Sequence, residues 1–173
     1  SVLKFLLGDL VELTAIGLLR LAGFTVDTRC NDGQLDLTLT GHDGKLLPVH
    51  PDGLLTVSGV AYNLEVKSCD SRTYDTWLAS RGPSDEWGYV TQASVECAAW
   101  AEAKVNVAGT CFLAISTGTR QGSIADWWLP FQPELVEAWQ ERRRLVHQPD
   151  QPPRGYEAQQ DREFMRGKEL DEV

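Results

Sequence analysis

The dipeptide Ser58-Gly59, inside HPDGLLTVSGVAYNLEVKS (residues 50–68), restricts the folding of this chain more than any other feature. Gly accepts the positive φ that a two-residue hairpin turn demands. With Val57 opposite Val60, the register sets Leu55 against Tyr62, Gly53 against Leu64 and Pro51 against Val66. That face is apolar, as a face packed on a core should be. The other face then gathers Asp52 opposite Glu65 and His50 opposite Lys67, with Cβ atoms of opposed residues about 4.5–5.5 Å apart. A slip of one residue would scatter these groups, so the functional reading depends on the turn.

Two carboxylates that close form a hard-oxygen site for a divalent cation. Mg²⁺ is held by one or two carboxylates together with water and substrate phosphate oxygens. Lys67 follows Glu65 by two residues, so it shares the face and can reach a nucleophilic water or the charge that develops on phosphorus. The plain alternative is a solvated strand face with a cross-strand salt bridge. Asp52 in register with Glu65 argues against it.

The pattern Pro51-Asp52 … Glu65-Val66-Lys67 resembles the PD-(D/E)XK nuclease superfamily, and its surroundings resemble the RecB-like and phage-exonuclease branch over roughly residues 5–130. The resemblance implies an α/β fold with a restriction-endonuclease-like core, a central mixed β-sheet flanked by helices. It implies hydrolysis of DNA phosphodiesters with Mg²⁺ or Mn²⁺. Asp52 and Glu65 would hold the ion, helped by the Val66 carbonyl and by His50, and Lys67 would orient or deprotonate the attacking water. Glu12, in GDLVELTAIGLLRLAGF, matches a glutamate that the family carries on its first helix and points at the metal. Gln92 matches a glutamine on the helix after the motif, where its neutral amide can hold a phosphate or water. Glu96 stands where the family has a tyrosine, and Tyr89, one turn before Gln92, can fill that space. Arg72, Tyr74, Trp77 and Arg81 match a segment near the DNA, with the character of groups that grip phosphates or stack on bases. Trp77 reads more readily as a core anchor.

The formal charge of −9 opposes a broad basic surface for nucleic acid. The tail from Gln148 to Val173 contributes −3 of it, seven acids against four bases. Arg142-Arg143-Arg144, with Arg120, completes the available phosphate contacts, although cations at a helix C-terminus also stabilise its dipole. Cys30, Cys69, Cys97 and Cys111 show no CxxC pairing. They read as buried small hydrophobes in a reducing compartment, and no iron–sulfur cluster is expected. No apolar run spans a membrane, and the opening segment is interrupted too early by Asp9 and Glu12 for a signal peptide.

Along the chain, leucines at helical spacing predict a helix over residues 3–22 ended by Gly23. Strands are expected at Phe24–Cys30 and Leu35–Leu39, with turns at Asn31-Asp32-Gly33 and His42-Asp43-Gly44. Asp36 faces solvent unless its strand neighbours the hairpin. A short helix breaking at Gly82-Pro83 and a long one over Glu86–Val105, capped by Ser84 or Asp85, follow. Gly109–Thr117 reads as a strand buried on both faces, paired with Ile124–Phe131, where Trp127, Trp128 and Phe131 pack. Pro133 opens a last helix.

These features describe one nuclease domain at 1–147 and a polar, proline-rich tail at 148–173. The expected function is DNA hydrolysis by an exonuclease of phage or bacterial recombination or repair, in the cytoplasm. Its partner is DNA, with room for a homo-oligomer or a recombination partner protein, and no membrane. The rivals are an endonuclease built on the same site and an inactive nuclease fold used for binding.

Overall fold

A computed structural model describes residues 2–28, 35–118 and 123–146. The Asn31-Asp32-Gly33 turn, Cys30, Arg120 and the 148–173 tail lie outside the described residues. The elements run α1 (Val2–Leu21), β1 (Thr25–Asp27), β2 (Leu37–Thr40), β3 (Leu46–Val49), β4 (Gly53–Val57), β5 (Val60–Cys69), α2 (Ser71–Ser80), α3 (Tyr89–Glu102), β6 (Thr110–Ser116), β7 (Ile124–Leu129) and α4 (Pro133–Val146). Five strands form one sheet in the order β1-β4-β5-β6-β7, while β2 and β3 form a separate ribbon. β5 and β6 are parallel and the other neighbours antiparallel, so the sheet is mixed. The fold is α/β, a mixed five-stranded sheet flanked by helices.

The hairpin has the register that its turn residues predict. Gly53 pairs with Leu64, Leu55 with Tyr62 and Val57 with Val60. Ser58 and Gly59 adopt φ of 50° and 81°, the two positive values of a type I′ turn, whose twist suits the flanking strands. Side-chain alternation then sends Leu55, Leu64 and Val66 to one face of the sheet, where they join Val26, Cys111, Leu113 and Ile115 under Ala15 and Ile16 of α1. On the other face Phe112 and Ala114 of β6 meet Tyr74 and Trp77 of α2. A third cluster, Leu39, Val49, Val95, Ala99 and Val136, binds the ribbon and α4 to the outside of α3. The carboxylate of Glu102 fixes the same junction by accepting from the Thr40 amide at 3.0 and 3.1 Å.

Two expectations shift. Leucine spacing in α1 does not mark the buried face: Leu13 and Leu21 are 64% and 86% exposed, and Val11, Ala15, Ile16 and Leu19 make the contact. This helix is apolar around most of its circumference, so periodicity alone could not select a side. The helix expected from Glu86 starts at Tyr89 instead. Residues Asp85–Trp87 form a 3-10 turn that Gly88 ends at φ 73°. Asp85 still acts as a cap, accepting from the Thr91 amide at 2.8 Å and its hydroxyl at 2.6 Å. Cys69, Cys97 and Cys111 are buried free thiols. No described helix is long and apolar enough to cross a membrane.

Gly109, just before β6, has φ 150°, and a Cβ there would collide with the Leu129 carbonyl of β7. Gly59 has φ 81° with open space around it. Denaturant unfolding should therefore show Gly109→Ala losing about 3 kcal/mol or more, against about 1 kcal/mol for Gly59→Ala. Equal losses would contradict this packing of β6 on β7.

Candidate active site

β5 lies at the centre of the sheet, hydrogen-bonded on both sides. Its alternation puts Leu64 and Val66 towards α1, leaving Asn63, Glu65 and Lys67 to face α3. Asp52 sits just before β4, next to Pro51, which is buried and has no N–H with which to extend the ladder. The Asp52 side chain takes over there, its Oδ2 accepting from the Val66 amide at 2.6 Å. One oxygen of this carboxylate is thereby fixed to the strand that carries Glu65.

Glu65 is 0% exposed. Lys67 Nζ forms an ion pair with its Oε1, and Oε2 has no hydrogen-bond partner among the described residues. Its other neighbour is a second acid. Glu96 of α3, 1% exposed, is near enough for its charge to act on Glu65. Glu96 is itself held by Asn63 Nδ2 at 2.8 Å and Gln92 Nε2 at 2.9 Å. Asn63 in turn accepts from the Trp100 indole at 3.0 Å. On the far side Glu12 of α1 is near enough for Asp52 and Glu65 to act on its ionisation.

The electrostatics follow from four acids sharing one ammonium group. Burial, then the negative charges of Glu96 and Asp52, push Glu65 well above the usual carboxylate range, with Lys67 opposing. Burial raises Asp52 against the Val66 amide and Lys67. Glu12 is pushed up to about 7 by burial and by Asp52, Asp9 and Glu65. Glu96 also reaches about 7 through burial, although its amide partners pull the other way. Burial works against the charge on Lys67, but Glu65 and Asp52 outweigh it and hold the ammonium above its ordinary value. Lys67 is therefore a proton-bearing cation rather than a ready base.

Asp52, Glu65, Lys67 and Glu12 are near enough to act on one another's ionisation, although the β4–β5 ladder stops short of the expected Asp52–Glu65 and Pro51–Val66 pairs, and Gln92 reaches the group through Glu96. His50 does not stand opposite Lys67. It follows β3, whose pairing belongs to the ribbon, and its Nδ1 meets Asp36 Oδ1 at 2.7 Å. The β4–β5 ladder ends at Gly53, so the register cannot be carried back to His50. Tyr74 is no DNA contact: it is 4% exposed, packed in the cluster of Trp77 and Phe112. Spacing of three on α2 puts Tyr74 on the buried side with Trp77. Tyr89 is half-buried with its ring against Trp77 and Phe112, and Lys67 Nζ lies 5.8 Å from its centroid. Arg72 and Arg81 are exposed.

Glu96 is the residue that sequence reading passed over, counted only as an absent tyrosine. Its signal was present, because ASVECAAW places one acid in a run of small and apolar residues, four after Gln92. Among the described residues, no three His, Cys, Asp or Glu side chains converge as a ready metal cage.

Comparisons with known proteins add little. No protein-family model matches the chain, and no curated protein matches it. A solved structure described as the crystal structure of SSO0001 is similar at 11% identity and a TM-score of 0.45. The match covers 87% of this chain and 63% of that one, so the chain spans less than two thirds of it.

The raised acids fix a sign for stability against pH. Glu12 and Glu96 bind protons more tightly folded (about 7) than at the ordinary 4.5. Their contribution is complete below 4.5 and is lost as pH rises to about 7. Melting of the protein in chelator should show Tm falling across that interval, and falling less in Glu96→Gln. A rise in Tm, or equal slopes in the two proteins, would contradict the burial of these acids.

Proposed function

We propose that this chain is a metal-dependent deoxyribonuclease of the PD-(D/E)XK type, with a restriction-endonuclease-like core, acting as an exonuclease on DNA. The observation that carries the reading is the pairing of Asp52, anchored on the Val66 amide, with a wholly buried Glu65 whose one cationic partner is Lys67. A surface salt bridge needs no such burial, and burying three or four acids around one ammonium is costly unless something compensates them.

The donor set fits a hard divalent cation. Glu65 has a buried oxygen with no hydrogen-bond partner among the described residues, and Asp52 uses one oxygen on Val66 and retains the other. Two carboxylates with no complete protein cage suit Mg²⁺ or Mn²⁺, which keep water and take substrate phosphate oxygens. Asp52 and Glu65 would hold the ion, with the Val66 carbonyl beside them. When bound, it supplies Lewis-acid polarisation of the scissile phosphate and a lower pKa for its water.

The chain's own groups divide the remaining work. Lys67, kept protonated by Glu65 and Asp52, orients the attacking water and faces the charge that develops on the phosphate oxygens. Of the two roles open to it, orienting and deprotonating, its charge favours the first. Glu12, near enough for Asp52 and Glu65 to act on its ionisation, would stand beside the ion or its water, as its match to the first-helix glutamate of the resembled family implies. Gln92 turns its amide to Glu96 and keeps Glu65 in place through it. Arg72 and Arg81 remain as exposed phosphate contacts.

The test is cleavage of circular DNA, of linear DNA and of linear DNA with blocked ends, in Mg²⁺ or Mn²⁺. The proposal expects linear DNA to be degraded and blocked or circular DNA to survive. Asp52→Ala and Lys67→Ala should each lower kcat by about a hundredfold or more, the scale for loss of one group acting on the transition state. Cutting of blocked ends would point to an endonuclease. No cleavage by the wild type, or full activity in either variant, would remove the assignment.

A further inference from the structure

A cleft lies against α3, and Glu96 is part of its lining. It measures about 680 Å³, inside the range of pockets that hold small molecules. The ribbon contributes Pro48, Val49 and His50, α3 contributes Gln92 and Val95, with Glu96 at the floor, and α4 contributes Trp139 and Arg142. Whatever enters it therefore abuts the residues that brace Glu65. The sequence marked none of these α4 residues as a site except the basic run 142–144.

The lining has a consistent chemistry. Trp139 offers an indole whose ring is already covered by the Arg143 guanidinium, 5.1 Å from its centroid. Pro48, Val49 and Val95 add apolar lining beside it. Gln92, whose amide nitrogen is given to Glu96, keeps its carbonyl oxygen as an acceptor for the edge of a flat ring. Arg142 stands on the wall with no acidic partner among the described residues, because its neighbour Glu141 is taken by Arg144 at 2.7 and 2.8 Å. Asp85 and Glu86 line the same cleft; Asp85 is engaged with Thr91, which leaves Glu86 as the exposed acid that an anionic group at Arg142 must avoid. A flat aromatic body, a polar edge and one anionic group describe a nucleotide.

We infer that the cleft between the ribbon, α3 and α4 receives one unpaired nucleotide of the DNA strand, its base beside Trp139 and its phosphate at Arg142. The inference rests on the nuclease reading and extends it, for it makes a single-stranded or frayed end the substrate. A base inside a duplex has no free face to offer, whereas an unpaired one stacks on an aromatic side chain whatever its sequence. It also explains how a chain of charge −9 could bind a polyanion: one guanidinium and one stacking surface replace a broad basic face.

Binding can be read apart from catalysis. The full chain is titrated in chelator with a short fluorescent single-stranded oligothymidylate and with the same strand paired to its complement. The single strand should bind more tightly than the duplex. Arg142→Ala and Trp139→Ala should each weaken it about tenfold or more, as expected for one lost phosphate contact or stack, and Trp139→Phe should keep most of the affinity. Because Trp139 also packs on the core, melting of each variant is measured beside it, and Arg142→Ala, on an exposed side chain, carries the test if Trp139→Ala unfolds. Unchanged binding in Arg142→Ala or in a folded Trp139→Ala, or duplex preferred to single strand, would overturn the inference. Cleavage in Mn²⁺ separates the two claims. A wild type that cuts DNA while the variants bind normally keeps the nuclease and loses the cleft; one that binds through Trp139 and Arg142 without cutting does the reverse.

Discussion

A carboxylate placed in the middle of a sheet, wholly out of water, governs this molecule. Transfer of an isolated charged carboxylate into a protein interior costs several kcal/mol even after relaxation. Glu65 occupies such a position with Lys67 beside it and two further acids, Asp52 and Glu96, in electrostatic contact. One ammonium cannot balance that set. Protons can, which is why every acid of the group is raised, and a divalent cation can, which links the burial to chemistry. A protein selected for stability alone would carry apolar residues here.

The scaffold is arranged to hold this imbalance. β5 is fixed by strands on both sides, so Glu65 and Lys67 have little freedom to separate. Asp52 is tied to Val66 just beyond Gly53, where the ladder ends, and Glu96 is clamped by Asn63 and Gln92. The hydrogen-bond chain from Trp100 through Asn63 to Glu96 joins the site to the core of α3. Rigid, satisfied surroundings around an unsatisfied centre are what preorganised sites require. The Tyr89 ring, packed against Trp77 and Phe112, lies 5.8 Å from Lys67 Nζ.

Much of this was legible in the residues and some was not, for identifiable reasons. Ser58-Gly59 fixed the hairpin because only a few dipeptides suit a type I′ turn, and the register then placed Glu65 on the polar side of β5 and Leu64 on the apolar side. His50 escaped because alternation holds only while strands stay paired, and pairing with β5 reaches no further than Gly53. Tyr74 was misread because aromatic residues near basic ones suit a DNA loop and a helix core equally. Its spacing of three from Trp77 was the distinguishing clue. Glu96 was hidden by comparison with a motif, although an acid inside an alanine-rich helix already called for a buried partner. α1 could not be oriented because leucines surround it.

Direct measurement of cation binding bears hardest on the claim that Asp52 and Glu65 form one pocket. Mn²⁺ titrated into the full chain at neutral pH, followed by the loss of its free-ion paramagnetic resonance signal, counts the bound ions and their affinity. The account predicts saturable binding that weakens about tenfold or more in both Asp52→Asn and Glu65→Gln, each variant remaining folded. Binding that neither substitution disturbs, or no saturable binding in the wild type, would show that the buried acids serve something other than a metal.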